Sequence, residues 1–150
     1  MKLVLHIITR TNIGGVSNYV MNLVAATEGN VRHVIVRGTP SINEGDFFAT
    51  HPTNVRFINV ASLHRSISPW REVLGFASLL RIIRAEQPDV VHTHMAKAGV
   101  LGRIAAWICR VPIRIHTFHG HLLDGYFSPR VVHMIVFLER VLQRITTWSI

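Results

Sequence analysis

The chain has 150 residues, of which 49% are hydrophobic and 16% charged. That balance excludes disorder and is enough for one domain with a real core. Sixteen Lys and Arg against eight Asp and Glu give +8 at pH 7. The positive charges scatter from Lys2 to Arg144 without a basic run, which excludes a nucleic-acid arm. The field suits an anionic partner (a nucleotide diphosphate, a lipid phosphate or an acidic membrane surface) or an acidic segment elsewhere in a longer chain.

The N-terminus MKLVLHIITR has no cleavage motif of small residues after it and reads as a first strand, LVLHII at 3–8, not a signal peptide. The loop TRTNIGG follows, and Val16, Val20, Leu23, Val24 and Thr27 mark one face of a helix that stops at Gly29-Asn30. VRHVIV at 31–36 is a second strand, 38–54 a loop rich in Gly, Pro, Ser and Asn, and VRFINV at 55–60 a third strand. A helix is predicted from Trp70 to about Glu86, closed by Pro88, before the strand DVVHTH at 89–94. Ala98 to Cys109 reads as a helix whose Gly99 and Gly102 permit close packing, with Cys109 as inert packing and no disulfide framework. PIRIHTF at 112–118 is a fifth strand. Ser128-Pro129 starts a helix that runs to about Arg144, and TTWSI at 146–150 begins a sixth strand. Strands and crossover helices alternate, so the fold class is α/β, a doubly wound and mostly parallel sheet. Ending in a half-made strand, the chain is expected to be an incomplete domain, 1–150, of a longer protein.

Ligands bind such sheets at the carboxyl ends of the strands, near the point where strand order reverses. Three features lie there: TNIGG, HTHMAKAG and HTFHGH. Gly14-Gly15 at a helix start would let a ligand approach the backbone and its free N–H groups, or would be a tight turn. The dinucleotide and P-loop patterns are both absent. His92 and His94 share one side of their strand, about 7 Å apart along it. With only Asp89 and Asp124 nearby, and Asp89 at the far end of the strand, they form a weak metal site. His119 precedes Gly120, where the chain can bend and present the ring as a hydrogen-bond donor to a substrate oxygen or phosphate. His116 reads as a satisfied core residue, and His121 as a support behind the site.

On these residues the chain resembles the N-terminal domain of family 4 glycosyltransferases, the retaining nucleotide-sugar enzymes of the two-domain GT-B fold. GGVSNYVMNL matches the glycine-rich loop and helix, PDVVHTHMAKAGVLGRIAAWICRVPIRIHTFHGH the strand–helix–strand core, and FLERVLQRITTWSI the last helix and strand. The likeness is greatest to members that build bacterial surface polysaccharides. It implies that Gly14 and Gly15 lie near the donor diphosphate, that His119 contacts the transferred sugar, and that His94, Lys97, a turn at Gly99 and His121 line the acceptor side. It implies no metal and no cofactor, the nucleotide sugar being a substrate and the acceptor a glycan or lipid-linked glycan. The donor-binding domain would lie beyond Ile150, leaving this piece inactive alone. Thr146-Thr147 stands where the family often has Thr-Asp, so no polar role is carried over to that spot, while the expected fold is unaffected.

No pair of carboxylates suits a double-displacement mechanism, in agreement with the family's attack and departure on one face of the sugar. The expected location is the cytoplasm, or the inner face of the cytoplasmic membrane if a segment binds lipid. Residues 70–84 and 126–144 both mix Arg with large apolar residues as surface-bound helices do, and the second reads more as a helix packed on all sides. Two alternatives stand beside the transferase: a metal-dependent hydrolase built on the H-x-H pair, and a non-catalytic half-domain that binds a glycan or nucleotide.

Overall fold

A computed structural model describes residues 1–39, 45–51, 53–64, 68–120 and 128–150. The elements are β1 (Lys2–Ile8), α1 (Gly15–Ala26), β2 (Val31–Arg37), α2 (Phe47–Thr50), β3 (Arg56–Asn59), α3 (Pro69–Glu86), β4 (Val90–His94), α4 (Ala96–Ile108), β5 (Ile113–Thr117), α5 (Pro129–Gln143) and β6 (Trp148–Ser149). The strands form one sheet in the order β3-β2-β1-β4-β5-β6, and all of its pairs are parallel. Strand order therefore reverses between β1 and β4, the crevice where this architecture binds ligands.

Alternate residues of each strand face opposite sides. On one side Leu3, Leu5, Ile7, Val34, Val36 and Val91 pack with Leu79 and Ile83 of α3 and with Ala98, Ala105 and Ala106 of α4. On the other side Ile8 and Ile35 pack with Val20 and Val24 of α1 and with Phe47 and Phe48 of α2. Helices on both faces explain why the strands read as unbroken apolar runs.

Four expectations need correction. The 38–54 stretch carries the single-turn α2. Asp46 caps it by accepting from the Phe48 N–H and holds Arg37 at 2.7 Å, so two buried phenylalanines are anchored within a polar segment. Gly99 does not form a turn. The helix starts at Ala96, and Gly99 lies within its first turn. β6 amounts to two residues. Finally, α5 is not packed on all sides: Leu142 is its only buried residue, while Met134, Phe137, Leu138 and Val141 are exposed. Those four exposed residues fall on one stripe, and an ion pair from Glu139 to the fully buried Arg103 ties α5 to α4.

No helix among the described residues is long and apolar enough to cross a membrane.

Candidate functional site at the strand tips

β1 and β4 are in register so that Ile8 lies beside His94, and β4 and β5 so that His94 lies beside Thr117. The three carboxyl ends therefore meet. Two of them finish in the left-handed backbone region, which non-glycine residues rarely adopt: Met95 at φ 68° after β4, and His119 at φ 50° after β5. Such outliers gather at functional sites because the surrounding fold must hold them. Gly120 follows His119 at φ 115°, completing the bend that turns the ring back over β4.

His119 Nε2 lies 2.9 Å from His94 Nδ1, and its ring meets the Tyr19 ring edge-on at 5.1 Å between centroids. Tyr19 is one helical turn after Gly15, so the glycine-rich helix start and His119 lie on the same side of the sheet. The fold itself asks nothing of the two glycines. A Cβ at Gly15 would meet no atom within 4 Å, one at Gly14 would make only ordinary contact with Asn12, and Gly14 has an extended backbone at φ 166°.

His94 is fully buried. Its Nε2 faces His6 Nδ1 at 3.2 Å, and His6 Nε2 faces His33 Nδ1 at 3.0 Å. His92 packs against His94 with ring centroids 4.1 Å apart and bonds the Thr117 hydroxyl at 2.8 Å. His116 points to the other side, where its Nδ1 bonds Thr93 Oγ1 at 2.9 Å, as befits a satisfied core histidine.

Burial keeps these imidazoles neutral, since charging them would forfeit hydration. Burial, then the neighbouring His92 and His33, hold His6 well below the ordinary 6.5. Burial, then His92, His6, His119 and His116, do the same for His94. Burial, then His119 and His116, lower His92 to about 4. Burial and then the Arg103 charge lower His116 to about 4, against an opposing hydrogen bond at Thr93. Burial also lowers His33 and His119.

The other expected site residues are placed differently. Lys97 turns toward α3, pairing with Glu72 at 2.6 Å and donating to the His64 carbonyl. Gly99 is buried under the His116 ring, which leaves no room for a side chain. Asp89 accepts from the Leu3 N–H at the opposite end of the sheet from His94. His121 and Asp124 lie outside the described residues. Two surface hollows, one lined by Val60, Ser62, Leu74 and Arg81 and the other by Gln87, Pro88, Arg110 and Pro112, include none of the strand-tip residues.

His6, His92 and His94 bring ring nitrogens within 4.8 Å of one another, as a shared ion would require. No carboxylate joins this set among the described residues, and the facing nitrogens of His6 and His94 are already occupied by each other. We read the set as hydrogen-bonded imidazoles.

Sequence reasoning missed His6, His33 and Tyr19. The signal available was chemical: a polar ring in the middle of an apolar strand must find a partner.

Known proteins share parts of this sequence and its fold. A region 36% identical over 94 residues, covering 63% of this chain and 24% of the relative, is shared with an Escherichia coli UDP-Gal:alpha-D-GlcNAc-diphosphoundecaprenol alpha-1,3-galactosyltransferase. Another, 32% identical over 66 residues and covering 44% and 17%, is shared with the Staphylococcus aureus capsular polysaccharide biosynthesis glycosyltransferase CapM. The matched stretch thus spans less than a quarter of either relative.

Among solved structures, Acinetobacter baumannii MurG superposes with a TM-score of 0.66 at 13% identity, covering 99% of this chain and 40% of that one. The UDP-GlcNAc 2-epimerase of Methanocaldococcus jannaschii gives 0.63 at 17% identity, covering 99% and 38%. At these identities the likeness is one of fold, the Rossmann-like half of a GT-B architecture. A family described as "Glycosyl transferase 4-like domain" matches residues 14–148, from the glycine-rich helix start through the His119 tip to the last strand. The chain belongs to that glycosyl transferase 4-like family.

Proposed function

We propose that this domain is the acceptor-side half of a retaining glycosyltransferase. The protein carrying it would transfer a sugar from a nucleotide diphosphate to a lipid-linked acceptor in bacterial surface polysaccharide synthesis. The observation that carries this reading is the strained His119 tip, held by His94 and facing the helix that Gly15 opens. His119 would contact the transferred sugar. Gly14 and Gly15 would admit the donor diphosphate to the N–H groups of α1, where partial positive charge offsets the leaving group without a metal. The two glycines have no role within the fold, which supports a ligand as the reason for them.

His94, Lys97 and Gly99 would shape the acceptor side from behind: His94 by holding His119, Gly99 by seating His116, and Lys97 by tying α4 to α3. The donor nucleotide would be held by a second domain outside these residues, and residues 1–150 alone would turn over no donor. Retention rests on the family resemblance and on the absence of a carboxylate pair among the described site residues.

The relatives named above, one acting on a diphosphoundecaprenol-linked sugar, support a lipid-linked acceptor and hence work at a membrane face. Trp70, Val73 and Leu74 are exposed on α3 beside Arg71, which suits contact with an anionic surface.

The test is transfer by the full-length protein from a panel of sugar nucleotides to a diphosphoundecaprenol-linked sugar, with the product's anomeric configuration read by NMR. In His119→Ala, kcat is expected to fall by about 10²–10³, the scale for one lost contact to the reacting group. Wild-type turnover by His119→Ala, inversion at the anomeric carbon, or turnover by residues 1–150 would each count against the corresponding part of the proposal.

A further inference from the structure

Four imidazoles, one from each of four neighbouring strands or strand tips, make a continuous line across the sheet. His33 is on β2, His6 on β1, His94 on β4 and His119 follows β5. The contacts are His33 Nδ1 to His6 Nε2 at 3.0 Å, His6 Nδ1 to His94 Nε2 at 3.2 Å and His94 Nδ1 to His119 Nε2 at 2.9 Å. At the far end His33 Nε2 lies 2.9 Å from the Thr27 hydroxyl.

A neutral imidazole has one N–H and one bare nitrogen, so each ring must donate at one end and accept at the other. The direction of the whole line is then set by a single end. Thr27 sets it. Its one hydroxyl proton points to the Leu23 carbonyl at 2.7 Å, the shorter of its two backbone contacts. A carbonyl cannot donate, so Thr27 Oγ1 is left to accept, and His33 donates to it from Nε2. His33 Nδ1 then accepts from His6 Nε2, His6 Nδ1 from His94 Nε2, and His94 Nδ1 from His119 Nε2. Each ring carries its proton on Nε2, and His119 keeps Nδ1 bare.

We propose that Thr27, His33, His6 and His94 form a one-way hydrogen-bond relay that locks His119 as the Nε2–H tautomer, so that it meets a ligand hydroxyl as an acceptor through Nδ1. The four are positioning residues; His119 alone would touch the sugar. The relay can also move a proton. One arriving on His119 Nδ1 releases the Nε2 proton to His94 Nδ1. His94 passes its own to His6 and His6 to His33, which ends as an imidazolium, while His119, His94 and His6 are left as neutral Nδ1–H tautomers until the line resets. His33 is half-buried, whereas His6 and His94 are fully buried, so the charge finishes nearer to water.

This reverses the donor role that the sequence suggests for His119. What it means for a sugar rests on the transferase reading, but the tautomer does not, and its measurement needs no activity. The experiment is NMR of the full-length protein labelled with ¹⁵N in histidine, at neutral pH, in wild type, Thr27→Ser and Thr27→Val. In wild type and Thr27→Ser, all four rings are expected as Nε2–H, with nitrogen–nitrogen couplings across the three imidazole contacts. Thr27→Val removes the terminal acceptor three rings away from His119, and His119 is expected to lose its single form and become a mixture of tautomers.

An Nδ1–H form of His119 in wild type overturns the proposal even if no variant folds. So does a His119 signal unchanged by Thr27→Val, or a stoichiometric metal on His6, His92 and His94 in the purified protein. A locked tautomer in a protein without transferase activity would sustain the relay and sink only the functional reading.

Discussion

Replacing Gly99 with alanine asks whether the close approach of α4 to β5 is as tight as its geometry indicates. The new Cβ would sit 2.5 Å from His116 Cε1, 3.0 Å from Nδ1 and 3.2 Å from Nε2. Carbon pairs prefer about 3.5–4.0 Å, so ring or helix must move by about 1 Å. Neither is free to do so. His116 is 1% exposed and bonded to Thr93 at 2.9 Å. The Gly99 N–H and carbonyl are engaged by the Met95 carbonyl at 2.8 Å and Arg103 Nε at 2.9 Å. Overpacking of this kind costs about 1–3 kcal/mol, and the better helix propensity of alanine returns at most about 1 kcal/mol. The expected net loss is about 1–2 kcal/mol. With a urea slope of about 2 kcal/mol/M, the unfolding midpoint falls by about 0.5–1 M. Adding His116→Ala removes the obstacle, so the double mutant should be more stable than the sum of the two single changes predicts, by about 1 kcal/mol. An unchanged midpoint for Gly99→Ala, or strict additivity in the double mutant, would refute the packing argument.

Gly15→Ala is the opposite case. Its Cβ meets nothing, so the free energy of urea unfolding should stay within about 0.5 kcal/mol of wild type, while transferase kcat/KM in the full-length protein falls at least about tenfold; retained activity would show that no ligand approaches there. Acid should weaken the fold. His92 is lowered from 6.5 to about 4, so its neutral form is favoured when folded, and its stabilisation is complete above 6.5 and is lost as pH falls toward 4. The loss at pH 5 is about 2 kcal/mol from His92 alone, and His6, His94 and His116 act in the same direction. A urea midpoint flat from pH 7 to pH 5 would contradict it. The full-length protein should float with liposomes containing anionic lipid, and Trp70→Ser with Val73→Ser should reduce flotation; equal flotation by the double variant would remove α3 as the contact.

Much of this molecule can be read without coordinates. Apolar runs such as LVLHII and DVVHTH, bounded by loop residues, can only be strands buried on both faces, and the crossover lengths between them make the sheet parallel. That reading already places Gly15 and His119 at one crevice, because strand tips must meet where the order reverses. His116 was recognisable as a core residue because it lies within the strand and not at its tip. Gly99 and Gly102 announced close packing, although only coordinates show that an imidazole and the Thr93 methyl fill the space over them.

The sequence by itself determined the layers and the end of the sheet where chemistry would occur, because periodicity and turn residues act over a few positions, whereas the strand order came from the tertiary structure. Tertiary structure alone decided which rings touch. His6 reaches His33 across 27 residues and His94 across 88, and no local pattern encodes the register that aligns them. It likewise decided that α5 leaves its apolar stripe exposed and that Lys97 is engaged by α3. Burial and pairing are properties of neighbours, which the chain acquires only when distant segments are brought together.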